Sequence, residues 1–123
     1  MICLDTNYLI RGVTAGTVEA AELVAWIEAG EILITPMPAW FEFICGPVTD
    51  EQSETMRAFL TTIVPFGEAE AKEGARLFNA IARKRSLRID SMIAGTASAA
   101  NARLATLNRA DFELFVPHGL QLL

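Results

Sequence analysis

The sequence has few of the residues on which several common kinds of active site depend. Its single histidine, His118, stands near the end of the chain, which leaves little basis for a histidine-based zinc site or a Ser-His-Asp triad. Its two cysteines, Cys3 and Cys45, both lie in apolar stretches, as small buried residues do in a reducing compartment. Neither a disulfide framework nor a cysteine-based metal site is therefore expected.

Basic residues and long apolar runs are also scarce. Ten Lys and Arg against fifteen Asp and Glu give a formal net charge of −5, which argues against nucleic-acid binding by overall charge but allows a local basic patch. No stretch is long and apolar enough to cross a bilayer, and no basic leader precedes Leu4. We therefore expect a cytoplasmic protein without a membrane partner, folded as one domain over residues 1–123.

Short apolar runs alternate with helical patterns along the chain. Strands are predicted at residues 1–5, 31–35, 63–66, 104–107 and 120–123. Helices are predicted at 17–29, 36–46, 68–85 and 90–100, with another after a Thr49–Gln52 capping box and a turn at 108–112. Pro65 places the third strand at an edge, because proline cannot donate to a strand ladder. The alternation predicts an α/β fold with a mainly parallel sheet.

Three acidic residues occupy unusual places in this pattern. Asp5 ends a buried strand, Glu42 lies within an otherwise apolar helix, and Asp90 opens a helix of small residues. A charge in an apolar helix is costly unless it is paired or bound to a cation. Clustered carboxylates are usually neutralised by a hard divalent cation, and Asn108 and Asp111 offer further oxygen ligands after the fourth strand.

Each of these residues also has a purely structural interpretation. Asp5 and Asp90 can cap the helices that follow them. Glu42 can pair with an arginine, and Asn108 and Asp111 can form a turn. The spacing of the residues alone does not choose between these roles and a shared acidic site.

Four segments in series resemble a known family. They are Leu4-Asp5-Thr6-Asn7, Glu42 followed by Gly46, Asp90-Ser91-Met92-Ile93-Ala94-Gly95-Thr96-Ala97, and Thr106-Leu107-Asn108-Arg109-Ala110-Asp111-Phe112. The set resembles the PIN domain, and especially the VapC-type toxins of prokaryotic toxin–antitoxin pairs. The resemblance extends over the whole chain and implies a three-layer α/β/α fold with a central sheet of four to five strands.

The same resemblance implies an endoribonuclease that depends on Mg²⁺ or Mn²⁺. Asp5, Glu42 and Asp90 then take the core catalytic and metal-binding positions. The fourth catalytic position falls on Asn108, with Asp111 close behind as a further metal ligand. Metal ions would activate water and neutralise the developing charge, so no histidine is required.

Other polar residues are candidates for holding the RNA. Thr6, Asn7 and Thr106 stand beside the acidic residues in sequence and can orient ligands or the scissile phosphate. The densest basic cluster directly precedes Asp90 and is predicted to hold the RNA backbone; it comprises Arg83, Lys84, Arg85 and Arg88. The alternative is a solvated helix end whose positive charges suit the helix dipole.

The composition and the resemblance both predict partners. The mean hydropathy of +0.33 is high for a small soluble monomer. Several large apolar residues exceed what one small core easily buries: Trp26, Met37, Trp40, Phe41, Phe43 and Ile44. The resemblance implies a homodimer and a small antitoxin, whose helix lies in a groove near the acidic site with an arginine approaching the carboxylates.

Two other functions are compatible with parts of the pattern. A haloacid-dehalogenase-like phosphatase would use Asp5 as its nucleophile, but it would need an acid two residues later, where Asn7 stands. A non-catalytic, partner-binding domain with a PIN-like fold would not need the intact set of Asp5, Glu42 and Asp90.

Overall fold

The computed structural model describes residues 1–123 and contains one five-stranded parallel sheet in the order β3-β2-β1-β4-β5. The strands are β1 (Ile2–Leu4), β2 (Leu33–Pro36), β3 (Thr62–Val64), β4 (Arg103–Ala105) and β5 (Gln121–Leu122). β1 lies at the centre and all three of its residues are buried, as expected for a strand covered on both faces. The predicted α/β class with a parallel sheet is confirmed, and β3 and β5 are its edges.

Seven helices cover the two faces of the sheet. They are α1 (Thr6–Gly12), α2 (Val18–Glu28), α3 (Met37–Cys45), α4 (Asp50–Phe59), α5 (Glu68–Ala80), α6 (Arg88–Ala99) and α7 (Arg109–Phe112). The chain moves from β1 to β3 in one direction across the sheet and from β3 to β5 in the other. Right-handed connections therefore place α1–α4 on one face and α5–α7 on the opposite face. The three-layer arrangement predicted from the resemblance is confirmed.

Several element boundaries differ from the predictions. α1 was not predicted, although Asp5 caps it and Thr6 is its first residue. α5 ends at Ala80 and not at Arg85, because Ala82 and Arg83 adopt left-handed backbone angles. The predicted strand 104–107 ends at Ala105. The predicted strand 63–66 lies one residue earlier and ends before Pro65, whose missing N–H cannot join a ladder.

The region after β4 is more helical than predicted. Residues 109–112 form α7 where a turn was expected, and a 3₁₀ segment, Glu113–His118, follows it. A shorter 3₁₀ segment, Arg85–Leu87, leads into α6. α6 begins at Arg88, so Asp90 stands inside its first turn and caps nothing. The capping alternative for Asp90 is therefore wrong.

The core lies on both faces of β1 and its neighbours. Its largest fully buried side chains include Phe43 of α3, Phe112 of α7 and Phe115, which follows α7. On the second face α5 and α6 approach closely where Gly74 meets Gly95, which explains the run of small residues in α6. No helix in the structure is both long and apolar enough to span a bilayer.

Candidate active site

The candidate site lies at the carboxyl ends of the neighbouring strands β1 and β4. After β1 the chain continues to helices on one face of the sheet, and after β4 it continues to α7 on the opposite face. Such a crevice is where open α/β sheets hold ligands. Asp5 follows β1 and Thr106 follows β4, and the Thr106 hydroxyl donates to Asp5 Oδ2 at 2.7 Å. The side chains that end the two central strands therefore meet directly.

Asp5 has both a structural and a site role. Its Oδ1 accepts the Thr6 N–H at 2.8 Å and so caps α1, which is the structural alternative considered from the sequence. Asp5 as a whole residue is 5% exposed. Burial, together with the Glu42 carboxylate, raises the pKa of Asp5, while the Thr106 and Thr6 hydrogen bonds oppose this shift. The cap fixes the carboxyl in position without neutralising its charge.

The pKa of Asp90 shows most directly that the charges of the acidic residues affect one another. It is half-buried in the first turn of α6. Burial raises its pKa most, followed by the charges of Asp5, Asp111 and Glu42, and the pKa reaches about 6 against an ordinary 3.8. Carboxylates that follow β1 or lie on α3 and α7 therefore all act on Asp90 of α6 at this end of the sheet.

Glu42 lies in a different environment from the one that the sequence pattern predicted. It is exposed on α3, so the desolvation cost predicted for a charge in an apolar helix does not arise. It also pairs with no arginine, and its Oε1 accepts the Thr6 hydroxyl at 3.2 Å instead. Glu42 thus reaches the site from the face opposite Asp90.

Asn108 and Asp111 act as a pair. The Asn108 N–H donates to the Thr106 hydroxyl oxygen at 3.0 Å, and the Asn108 side-chain amide donates to Asp111 Oδ2 at 3.0 Å. Asp111 lies on α7 and contributes to the raised pKa of Asp90. In this arrangement Asn108 positions Asp111, and the free carboxylate oxygen of Asp111 is the better candidate for a fourth ligand.

The four carboxylates have no cationic partner in the chain. None of Asp5, Glu42, Asp90 and Asp111 belongs to an ion pair. Arg109, although next to Asn108, donates to the Leu123 carbonyl at 2.9 Å instead. A set of four carboxylates and an amide suits a hard cation such as Mg²⁺ or Mn²⁺. As placed, however, no three of them are close enough to hold one ion together, so binding requires side-chain movement.

Comparison with known proteins identifies the family of this chain. The family model described as the PIN domain matches residues 2–114. The chain belongs to the PIN domain family. No curated protein matches its sequence.

Solved structures share the PIN fold over nearly the whole chain. VapBC-1 from nontypeable Haemophilus influenzae has 26% identity and a TM-score of 0.73, with coverage of 100% of this chain and 97% of that one. A toxin–antitoxin complex from Klebsiella pneumoniae has 24% identity and a TM-score of 0.72, with coverage of 91% of this chain and 90% of that one. VapBC2 from Rickettsia felis, bound to a DNA fragment from its promoter, has 19% identity and a TM-score of 0.75, with coverage of 100% of this chain and 98% of that one.

The remaining predicted site residues of this PIN domain divide into two groups. Thr6 and Thr106 hydrogen-bond to the acidic residues, whereas Asn7 is exposed on α1 and its side chain makes no hydrogen bond. Arg83, Lys84 and Arg85 of the basic cluster lie between α5 and α6, and Arg88 is the first residue of α6. Three members of the cluster, Arg83, Arg85 and Arg88, line a concavity with Phe78 and Asn79, and Lys84 does not.

Phe78 and Asn79 were not identified as site residues from the sequence. Asn79 precedes Arg83 by four residues, which is a helical hydrogen-bonding distance, and this was the only available signal. In the sequence, Phe78 falls on the apolar side of the predicted helix 68–85, with Ala71, Ala75 and Ala82. Its contact with the arginines depends on the early end of α5, which the sequence pattern did not predict.

Proposed function

We propose that this PIN domain is an endoribonuclease that depends on Mg²⁺ or Mn²⁺. The observation that carries the proposal is the set of four carboxylates, from both faces of the sheet, that no cation of the chain neutralises. Asp5, Glu42, Asp90 and Asp111 would hold the metal, which when bound supplies an activated water and stabilises charge on the phosphate oxygens. The family assignment favours this function over the phosphatase alternative.

The polar residues around the acids have supporting roles in this proposal. The Thr106 hydroxyl and the Thr6 N–H hold the Asp5 carboxylate in one orientation, and Asn108 holds Asp111. The Thr6 hydroxyl ties Glu42 of α3 to the start of α1. These hydrogen bonds set the positions from which side-chain movement would bring the acids together around one cation. Asn7, exposed beside them, is free to contact the RNA.

Purified protein is expected to cleave RNA with Mg²⁺ or Mn²⁺ and to stop cleaving when EDTA is added. A panel of structured RNAs resolved on denaturing gels would measure this directly. Restoration of cleavage by excess Mg²⁺ after EDTA is the control for irreversible damage. Metal-independent cleavage, or none with any RNA, would contradict the proposal and leave the non-catalytic alternative.

We also propose that the protein is the toxin of a toxin–antitoxin pair. Similar folds occur in a Klebsiella toxin–antitoxin complex and in VapBC-1. A groove of about 250 Å³ between α1, α3 and α4 has room for apolar side chains of a partner helix, and its lining includes Ile10, Val13, Phe43, Pro47 and Val48. The cation-free acidic site, whose Glu42 precedes Phe43 on α3, would also accept an arginine of the antitoxin. Growth arrest on expression, absent with Asp90→Asn, would test the toxin assignment.

We propose a different surface for the contact between the two copies of the predicted homodimer. Of the six apolar residues counted from the sequence, Phe43 is buried in the core, and Trp26 and Trp40 are half-buried. Met37, Phe41 and Ile44 remain exposed along one side of α3, with Ile89 of α6 near them. We propose that this stripe packs against its copy, because a contiguous apolar surface of this kind marks an interface.

Phe41→Glu is expected to convert the dimer into a monomer, because Phe41 is the most exposed residue of the stripe and a charge would be buried without a partner. Light scattering at tens of micromolar would measure the mass. Val18→Glu, at another exposed apolar residue on α2, is the matched control and should leave the dimer intact. A wild-type monomer, or a Phe41→Glu dimer, would refute the assignment.

A further inference from the structure

The region from the end of α5 to the start of α6 forms a concave basic surface. This surface contains none of the acidic site residues. Arg83, Arg85 and Arg88 line an open concavity of about 410 Å³ together with Phe78 and Asn79. None of the three arginines forms an ion pair. Three unpaired guanidinium groups on one concavity make a site for an anion in a protein whose net charge is −5.

The backbone holds one of these arginines in place. Ala82 and Arg83 have φ angles of 58° and 56°, in the left-handed region that residues other than glycine rarely adopt. This turn ends α5 with the Arg83 N–H donating to the Phe78 carbonyl at 3.0 Å. The Arg83 Nε then donates to Asn79 Oδ1 at 2.8 Å, which directs the guanidinium back over the end of α5. Strained turns of this kind are often kept for function.

An aromatic ring forms part of the same surface. The Arg88 guanidinium lies 6.0 Å from the centre of the Phe78 ring, and both side chains line the concavity. Aromatic rings and guanidinium planes are the surfaces on which unpaired RNA bases stack. An acidic peptide would use the arginines but would gain little from the ring. The combination therefore favours a nucleotide over a carboxylate ligand.

The concavity lies close to the acidic site along α6. Phe78 and Arg88 line both this concavity and a neighbouring depression that extends to Met92. Arg88 and Asp90 stand in the same turn of α6, with Cα atoms about 5 Å apart by helix geometry, and side chains two residues apart project to different faces of a helix. An RNA chain that reaches both places therefore passes around the first turn of α6.

We propose that the concavity is a subsite for one nucleotide of single-stranded RNA, close to the nucleotide that is cleaved. Arg83 and Arg85 hold its phosphate, and its base stacks against Phe78 and Arg88. The inference rests on the proposed ribonuclease function, and it specifies an unpaired RNA segment as the substrate. Duplex RNA has no free base to place on the ring and binds more weakly.

Binding of a fluorescent RNA pentanucleotide tests the subsite without cleavage. We would use full-length protein with Asp90→Asn in EDTA, so the result does not depend on metal or on activity. Arg83→Gln with Arg85→Gln is expected to weaken binding about 10-fold relative to Arg57→Gln, an exposed arginine on α4 that serves as the control. A loss below twofold would overturn the subsite, even if the protein proves to be a ribonuclease.

The salt dependence distinguishes one subsite from a diffuse basic surface. Loss of a single phosphate contact lowers the slope of log affinity against log salt by about 0.7 for a single strand. Arg83→Gln with Arg85→Gln should lower the slope by the amount for one phosphate, because both arginines hold the same phosphate. Twice that decrease would mean that the two arginines bind different phosphates, and it would contradict the shared subsite. Phe78→Leu should weaken binding with the slope unchanged, because stacking is not electrostatic.

Two competition experiments test the ligand class. Unlabelled pentanucleotide should displace the probe, and a duplex of the same sequence should do so at least 10-fold less well. An aspartate-rich peptide of equal charge should also compete poorly. Equal competition by the peptide would overturn the RNA assignment in favour of an acidic protein partner. In the active enzyme the double variant should raise KM with little change in kcat.

Discussion

Asp90→Asn is expected to lower RNA cleavage by about 10²- to 10⁴-fold, the range for loss of one essential charged group in an active site. Asp90 is the acid whose pKa is raised by the charges of Asp5, Asp111 and Glu42, so it is coupled to every other member of the set. Asparagine keeps the shape and volume of the side chain, so the fold should survive. Gel-based cleavage rates in Mg²⁺ would measure the loss, and Asp5→Asn should behave in the same way.

The same substitution should stabilise the metal-free protein. The folded state binds the Asp90 proton more tightly than the unfolded chain does, so the ionised carboxylate destabilises the fold as pH rises from about 3.8 towards about 6. Asparagine removes this penalty, which we put at about 1 kcal/mol after allowing for solvent screening at a half-buried site. The gain in Tm should be present at pH 7.5 and shrink towards pH 4.

Asp50→Asn, on the exposed first turn of α4, is the matched control for both measurements. It should change neither the cleavage rate nor the pH dependence of stability. Unaltered cleavage by both Asp5→Asn and Asp90→Asn would eliminate the proposed mechanism. A loss of activity that accompanies a lowered Tm would instead indicate a damaged fold.

Gly95→Ala is expected to destabilise the protein by about 2 kcal/mol, which is the upper end of the overpacking cost less the helix propensity that alanine returns. A Cβ on Gly95 would lie 2.5 Å from the Gly74 Cα, which is backbone and cannot rotate away, so α5 and α6 must separate. Overpacking of this kind costs about 1–3 kcal/mol or more, and the better helix propensity of alanine returns only about 1 kcal/mol. Chemical denaturation would give the free energy of unfolding.

Gly46→Ala is the control for this second prediction. Its Cβ would meet the carbonyl oxygens of Phe43 at 3.4 Å and of Glu42 at 4.0 Å, which are ordinary contacts, and its φ of −78° suits any residue. A change within about 0.5 kcal/mol is expected. If Gly95→Ala is equally mild, then the close contact of α5 and α6 does not limit their packing, and the account of the small residues in α6 is wrong.

The sequence by itself determined the sheet and the identities of the acidic residues. Ile2-Cys3-Leu4 is apolar at every position, as a strand covered on both faces must be, and the alternation of strands with helices led directly to a parallel sheet. Asp5 follows such a strand, so its place at the carboxyl edge was predictable. These features are local, and a pattern of neighbouring residues is enough to encode them.

The tertiary structure decided which of these residues meet and how the basic segment is shaped. Thr106 lies 101 residues from Asp5, and only the pairing of β1 with β4 brings its hydroxyl to the carboxylate. The sequence suggested a buried Glu42, but α3 presents it to solvent. The left-handed turn at Ala82 and Arg83 uses residues that do not favour it, so no local preference announced it. Such features depend on packing between distant segments, which a single sequence does not display.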